Sequence, residues 1–538
     1  MTLDFIAVAH ARILALSRKG IGGAHVTLCL NSPHTVQSMK ISKITLPILI
    51  LLLSGILTYL SLTVGHNWGG DFSSYLMQAR SIVDGTMDEF VRSNTFTVEN
   101  SSRDIGPTAY PWGFPTLLAP LYYLYGFNLL AFKIVSILCF ELFLLCIFLL
   151  FKDRVSFAGN CIILSLFAFN PFLIGFNDSI LSDIPFLFFS TLTILLLDRI
   201  VLSKRKIISR PLDHVLLGLA AFMAFFIRTN GALLLLVIVS CQVVTHFISD
   251  NKNPGNRRAN LLVELISGGT FLVLSWVSSM VFPQGGTSHI SHFDRLSLAV
   301  IAENLAYYGT LPASFFDGVL IFAPAIVYGM TLVFLIAGVC SRIKRDYHFI
   351  IYTFLTFALY IIWPAVQGLR FLFPILPFYI YFVYLGIMTI NFGLPDHLHA
   401  AGRRLSYAAC IFVSGSFLIV SVYYAAVNVV NAREVDGPFV ARSMDMFNII
   451  KNRTKPDDVI VFFKPRVFSM MTGRNSILID DPSQLQKGNY LVLHKHMGNY
   501  GQLEPKSLIN ANSSAHLQKI YENDDFSVYK IMQQRSKL

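Results

Sequence analysis

A few ionisable residues interrupt an otherwise apolar chain, and their types and spacing set out what chemistry it could do. His66-Asn67-Trp68-Gly69-Gly70-Asp71 opens a polar stretch. Asp71 could cap the helix that follows or serve as an active-site carboxylate. Asn177-Asp178-Ser179-Ile180-Leu181-Ser182-Asp183 carries a second acidic pair, with Asp183 placed to cap the helix begun by Ile184-Pro185-Phe186. Carboxylates this close to lipid are costly and often functional. Two acidic clusters on one face of a membrane could bind a divalent cation or handle a proton. Arg370, in Gln367-Gly368-Leu369-Arg370-Phe371-Leu372-Phe373-Pro374, could snorkel from a helix end or clamp a phosphate with its planar fork. Arg228, in Arg228-Thr229-Asn230-Gly231, has the same two readings. Ser288-His289-Ile290-Ser291-His292-Phe293-Asp294 reads as a metal site or a solvated loop. Lys133 and Glu141, just over two helical turns apart, read as a structural pair facing a bundle interior.

The elements that position these residues follow from composition. Of 538 residues, 54% are apolar and 14% charged, against about 25% charged in an ordinary soluble domain. This excludes a disordered chain, a coiled coil and a single soluble enzyme, and predicts an all-α polytopic membrane protein. Eleven spans of about 20 apolar residues are expected near 44–64, 128–151, 156–174, 184–202, 212–227, 230–248, 261–282, 318–340, 348–364, 371–391 and 405–427. Basic clusters at Lys40/Lys43, Lys152/Arg154, Lys204–Arg210, Lys252–Arg258, Arg342–Arg345 and Arg403/Arg404 then all fall on one side. Under the positive-inside rule that side is cytoplasmic, which places the C-terminus outside. Parity makes 212–248 two crossings broken at Arg228–Gly231, and leaves 113–126, interrupted by Pro115 and Pro120, as a half-inserted outer segment.

Much of the net charge of +11 is thus a topology signal. With no basic stripe carrying interleaved aromatics, nucleic acid is not an expected partner. Six of the seven cysteines lie in apolar runs and no CxxC occurs, so neither a zinc site nor a disulfide framework is expected. Residues 1–39 read as a cytoplasmic extension or an upstream start, with Met39-Lys40-Ile41-Ser42-Lys43 resembling a natural beginning. Residues 40–430 form the membrane domain. Its outer loops, 65–127 and 283–317, hold most of the polar investment. Phe72, Tyr75, Leu76, Ala79, Ile82 and Val83 share one face of an interfacial helix ended by Gly85. Residues 431–538 form a small outer α/β domain, with strands at 459–463, 476–479 and 489–493 and helices at 438–453 and 465–472.

Taken in order, Gly70-Asp71-Phe72, Tyr110-Pro111-Trp112-Gly113-Phe114-Pro115, Asp178 to Phe186, Arg228-Thr229-Asn230-Gly231 and Arg370-Phe371-Leu372-Phe373-Pro374 resemble the GT-C superfamily of membrane glycosyltransferases. The likeness is to the bacterial protein-O-mannosyltransferase-like and aminoarabinose-transferase-like branch, over roughly residues 40–430. It implies transfer of a sugar from a polyprenyl-phosphate donor to the hydroxyl of a glycan, lipid or protein acceptor, at the outer face of a bacterial inner membrane. Asp71 would take or orient the acceptor proton. Arg370 would neutralise the lipid-phosphate leaving group, with Arg228 as helper. Asp178 and Asp183 would shape the acceptor side or bind a metal, and Tyr110 would contact substrate. The sequence departs from relatives in three ways. The Trp-Trp-Asp motif of oligosaccharyltransferases is absent, Tyr-Pro-Trp replaces the Lys-Pro-Pro of aminoarabinose transferases, and no large lumenal insertion occurs. A transporter or flippase of lipid-linked substrates, or a glycan polymerase or ligase, is the alternative. The lack of paired repeats and the outer location of the polar groups favour the transferase.

Overall fold

The computed structural model describes residues 44–200, 211–248, 254–285, 296–363, 366–392, 395–431, 434–496, 501–503 and 517–532. The N-terminal extension and the Ser288–Asp294 run lie outside the described residues.

Helices occupy the apolar stretches of the sequence. They are α1 (Thr45–Leu60), α5 (Leu129–Phe151), α6 (Phe157–Ala168) with the short α7 (Pro171–Phe176), α8 (Asp183–Ile200), α9 (Pro211–Ile227), α10 (Ala232–Ile248), α11 (Pro254–Val281), α13 (Pro324–Arg342), α14 (Tyr347–Ile362), α15 (Leu376–Phe392) and α16 (Asp396–Asn431). Between α1 and α5 run α2 (Gly70–Asp84), α3 (Met87–Asn100) and α4 (Gly113–Tyr125), and α12 (Leu298–Thr310) precedes α13. Four stretches among the described residues are long and apolar enough to cross a bilayer: Leu129–Phe151, Val263–Val281, Pro324–Arg342 and His397–Asn431. Several shorter apolar helices accompany them.

Helix α5 shows why these helices belong in lipid. One face, with Phe132, Phe140, Phe143, Ile147 and Phe151, is buried in the bundle, while Leu130, Ile134, Leu138, Leu142 and Leu145 form an exposed apolar stripe at three- and four-residue spacing. A helix apolar on both faces needs a nonpolar solvent on the outer one. Leu272, Val273, Trp276 and Met280 of α11 are exposed in the same way. The chain is a multi-pass integral membrane protein.

The structure corrects several expectations. The eighth span starts at Pro324 rather than 318, because proline suits the first helical turn and its predecessors do not continue the helix. Helices α3 and α12 were not expected, since neither carries a long apolar run. Asp71 does not cap α2: Gly69 occupies the N-cap with no side-chain bond, and Asp71 lies inside the first turn. Lys133 and Glu141 do not pair. Lys133 Nζ lies 2.6 Å from Asp178 and donates to the carbonyls of Thr63 and Gly65 at 2.8 and 2.7 Å. A carboxylate plus two carbonyls satisfies a buried ammonium better than one carboxylate across two turns.

After α16 come α17 (Ala441–Arg453), β1 (Ile460–Val461), α18 (Pro465–Thr472), β2 (Ser476–Ile477), β3 (Tyr490–His494), β4 (Leu517–Glu522) and β5 (Phe526–Ile531). The strands form one sheet in the order β2-β1-β3-β5-β4. β1 is parallel to β2 and β3, while β5 is antiparallel to β3 and β4. This unit docks on the first loop through Trp68, whose ring lies 5.3 to 6.3 Å from those of Phe463, Phe462, Phe526 and Phe447. Gly437 permits the close approach, since a Cβ there would fall 1.9 Å from the His66 carbonyl oxygen.

Candidate active site

Five side chains from separate stretches of sequence meet at one end of the bundle. Asp71 sits in the first turn of α2, and Asp183 is the first residue of α8. Helix N-termini carry partial positive charge, which favours carboxylates at both places. Arg228 precedes the Thr229–Gly231 3-10 turn between α9 and α10. Gly231 makes that turn possible, because a Cβ there would lie 2.4 Å from the Phe225 nitrogen. Arg370 sits in the Leu369–Leu372 3-10 turn before α15. Tyr110 precedes α4, and its backbone is bracketed by Gln78 of α2, which donates to Tyr110 O at 2.9 Å and accepts from Tyr110 N at 3.2 Å.

The charges alternate along a chain. Arg228 Nη1 donates to Asp183 Oδ1 at 2.6 Å, a pair buried at the Asp183 end, where 3% of the side chain is exposed. Arg370 Nη1 lies between the two carboxylates, 3.8 Å from Asp183 Oδ2 and 3.7 Å from Asp71 Oδ2. Both distances exceed a hydrogen bond, and the other arm of Arg370 donates to Gln367 Oε1 at 3.0 Å. The Phe371 ring lies under both guanidiniums, at 4.9 Å from Arg228 and 5.5 Å from Arg370. Tyr110 Oη donates to Asp71 Oδ1 at 2.7 Å. Burial, with the Asp71 charge adding, holds the Tyr110 phenol well above its ordinary pKa, so it remains a donor. Tyr75 is raised by the same two causes, and its hydroxyl lies 2.9 Å from Ser182 Oγ.

Asp71 is the accessible carboxylate of the pair, with 36% of its side chain exposed. It faces a cavity of about 400 Å³ whose walls are Arg103, Asp104 and Ile105 of the first loop and Phe463 to Arg466 of the C-terminal unit. Burial lowers the pKa of the Lys464 ammonium there, against the pull of Asp71.

Asp178 lies apart from this cluster. Besides Lys133, it accepts from Thr63 N at 2.8 Å and from Thr63 Oγ1 at 2.6 Å. It therefore pins the backbone that leads from α1 to Asp71. His66 does similar work: its Nδ1 faces Asn67 O at 3.0 Å and its Nε2 accepts from Ile180 N at 3.2 Å. Burial pushes its pKa down to about 4, so the ring is neutral and that bond pattern holds.

No group of three or more His, Cys, Asp or Glu side chains among the described residues is arranged for a metal ion. Asp71 and Asp183 converge on the Arg370 guanidinium, a donor set that fits a cationic side chain rather than a divalent cation. Sequence reasoning missed Lys464 and Arg466. Lys464-Pro465-Arg466 opens a short helix, and nothing in its spacing indicates that it faces Asp71. Also missed is an ion network at the far end of α8, about 22 Å from Asp183 at 1.5 Å per residue. There Arg154 pairs with Asp198 and with Asp346, the latter at 3.1 Å, and Tyr381 Oη donates to Asp346 at 2.6 Å. Arg154 is thus part of an internal clasp as well as a basic loop residue.

No family model matches the sequence, and no curated protein sequence matches it. Solved structures do. ArnT from Cupriavidus metallidurans, in a crystal structure bound to undecaprenyl phosphate, superposes with a TM-score of 0.56 at 11% identity, over 90% of this chain and 97% of that one. The apo crystal structure of the same protein gives 0.54 at 12% identity over the same shares. At such identity the likeness concerns fold alone: the chain shares the fold of ArnT, in agreement with the resemblance carried by the motifs.

Proposed function

We propose that the protein is a membrane glycosyltransferase that moves a sugar from a polyprenyl-phosphate donor to an acceptor hydroxyl. The observation that carries this reading is the convergence of Asp71 and Arg370, 3.7 Å apart, at the end of an apolar bundle. The acceptor oxygen attacks the anomeric carbon, its proton passes to the Asp71 carboxylate, and the bond from that carbon to the lipid phosphate breaks. The polyprenyl phosphate leaves as an anion beside Arg370, with Arg228 behind it. Fixed positive charge next to a departing anion is often a large part of catalysis. Arg370 makes only long contacts to its carboxylates, so a phosphate can take the guanidinium without breaking a tight pair. Asp183 holds Arg228 in place, Tyr110 orients Asp71, and Asp178 supports the loop. The acceptor enters by the cavity between the first loop and the C-terminal unit. The bound undecaprenyl phosphate of the ArnT structure supports a donor of this class.

The same reading has eleven crossings, a cytoplasmic N-terminus, and residues 431–538 as an α/β domain outside a bacterial inner membrane. Reconstitution in vesicles with undecaprenyl-phosphate sugars tests it, by following release of the lipid phosphate. Release that requires an acceptor supports the transferase. Movement of the donor across the bilayer without release would favour a flippase.

A further inference from the structure

Arg466 belongs to the C-terminal unit yet reaches the site. Its side chain is buried, with 3% of the residue exposed. Nε donates to Asn94 Oδ1 at 3.2 Å, Nη2 to the Pro107 carbonyl, and Nη1 to Tyr110 Oη at 3.4 Å. The guanidinium also lies 5.5 Å over the Tyr110 ring. Among the described residues no carboxylate lies within ion-pairing distance of it. A buried cation held only by neutral acceptors and a ring contributes little to stability, which directs attention to what it holds. Gly106 lets the chain pass against this group: its φ is +101°, and a Cβ would come 3.2 Å from Tyr110 Oη and 3.4 Å from Arg466 Nη1.

The hydrogen-bond directions follow. Gln78 fixes the Tyr110 backbone, and Arg466 fixes the far end of its ring. Because the phenol oxygen accepts from Arg466, its own proton is directed to Asp71. We infer that Arg466 is a positioning residue that acts through Tyr110 to hold the Asp71 carboxylate in its reacting orientation, so that the C-terminal unit completes the site of the membrane domain. This rests on Asp71 being the proton acceptor proposed above.

The test uses the full chain in vesicles with an undecaprenyl-phosphate sugar. Arg466→Ala lowers kcat by about tenfold, the scale of one hydrogen bond, with donor KM little changed, and Arg466→Lys recovers part of the loss. In a Tyr110→Phe background, Arg466→Ala lowers kcat less than about twofold, because the path is already cut. The same loss in both backgrounds overturns the inference. A readout independent of turnover is the 19F signal of 3-fluorotyrosine at position 110. Arg466→Ala moves or broadens it, whereas Lys519→Ala, on the exposed far strand, leaves it in place. A signal unmoved by Arg466→Ala overturns the inference. A signal that moves in a protein with no turnover on any lipid donor would instead refute the proposed reaction and leave the Arg466–Tyr110 contact standing.

Discussion

Arg370→Gln separates catalytic from structural roles most sharply. Gln keeps a planar polar end while removing the charge. In the folded protein Arg370 lies 3.7 and 3.8 Å from its two carboxylates with 26% of its side chain exposed. Partly exposed pairs at such distance contribute about 1 kcal/mol or less. Its cost to folding should therefore be small, and the unfolding midpoint should stay near that of the wild type. The cost to reaction is larger. Removing one preorganised charge or donor beside a developing anion costs about 3–4 kcal/mol, or roughly 10²–10³ in kcat. Donor KM should move far less, because the charge on the bridging oxygen develops as the bond breaks. The assay is initial rate of undecaprenyl-phosphate release over a donor series, beside thermal unfolding in the same vesicles. A loss confined to KM, or a loss of kcat that tracks a comparable loss of stability, would refute the leaving-group role.

Three further outcomes follow from the same geometry. Asp183→Asn keeps an acceptor oxygen but removes the carboxylate charge 2.6 Å from buried Arg228, so it should destabilise by about 3–5 kcal/mol. The double variant Asp183→Asn with Arg228→Met should recover much of that in unfolding measurements, and additive losses would contradict the pairing. His66, pushed down to about 4 from 6.5 by burial, binds its proton more readily in the unfolded chain. Its contribution is present above pH 6.5 and is lost as pH falls toward 4, by up to about 3 kcal/mol. His66→Gln should flatten that part of the stability profile, and an unchanged slope would count against it. Gly231→Ala places a Cβ 2.4 Å from the Phe225 nitrogen, so the Arg228 turn must open. Activity should fall by at least about tenfold, and wild-type kcat would show the turn to be dispensable.

Much of this architecture was legible because lipid simplifies the rules. Apolar length and basic loop clusters located the helices, and the Gly70-Asp71 and Arg370-Phe371 motifs pointed to the residues that meet. What the sequence could not carry was pairing. Lys133 reads toward Glu141 on its own helix, yet the loop carbonyls of Thr63 and Gly65 and the carboxylate of Asp178 outcompete it from another part of the chain. Asp178 and Asp183 look alike in sequence, but one fixes a loop and the other faces two arginines. Helix α3 has no apolar signature of its own, and forms where Asn94 and Thr97 pack inward. Arg466 lies 356 residues beyond Tyr110, and the docking of the C-terminal unit on the first loop, with Trp68 among its aromatic rings and Ser102 on Leu478, brings them together.

In the proposed reaction Asp71 receives the acceptor proton in a site it shares with Arg370. The most direct test of this role is the rate of undecaprenyl-phosphate release by Asp71→Asn, a nearly isosteric change that removes the base, measured with donor and acceptor at saturation. A fall of roughly 10²–10⁴ is expected, with unchanged unfolding and donor binding. Release at the wild-type rate by a folded Asp71→Asn protein would contradict that role.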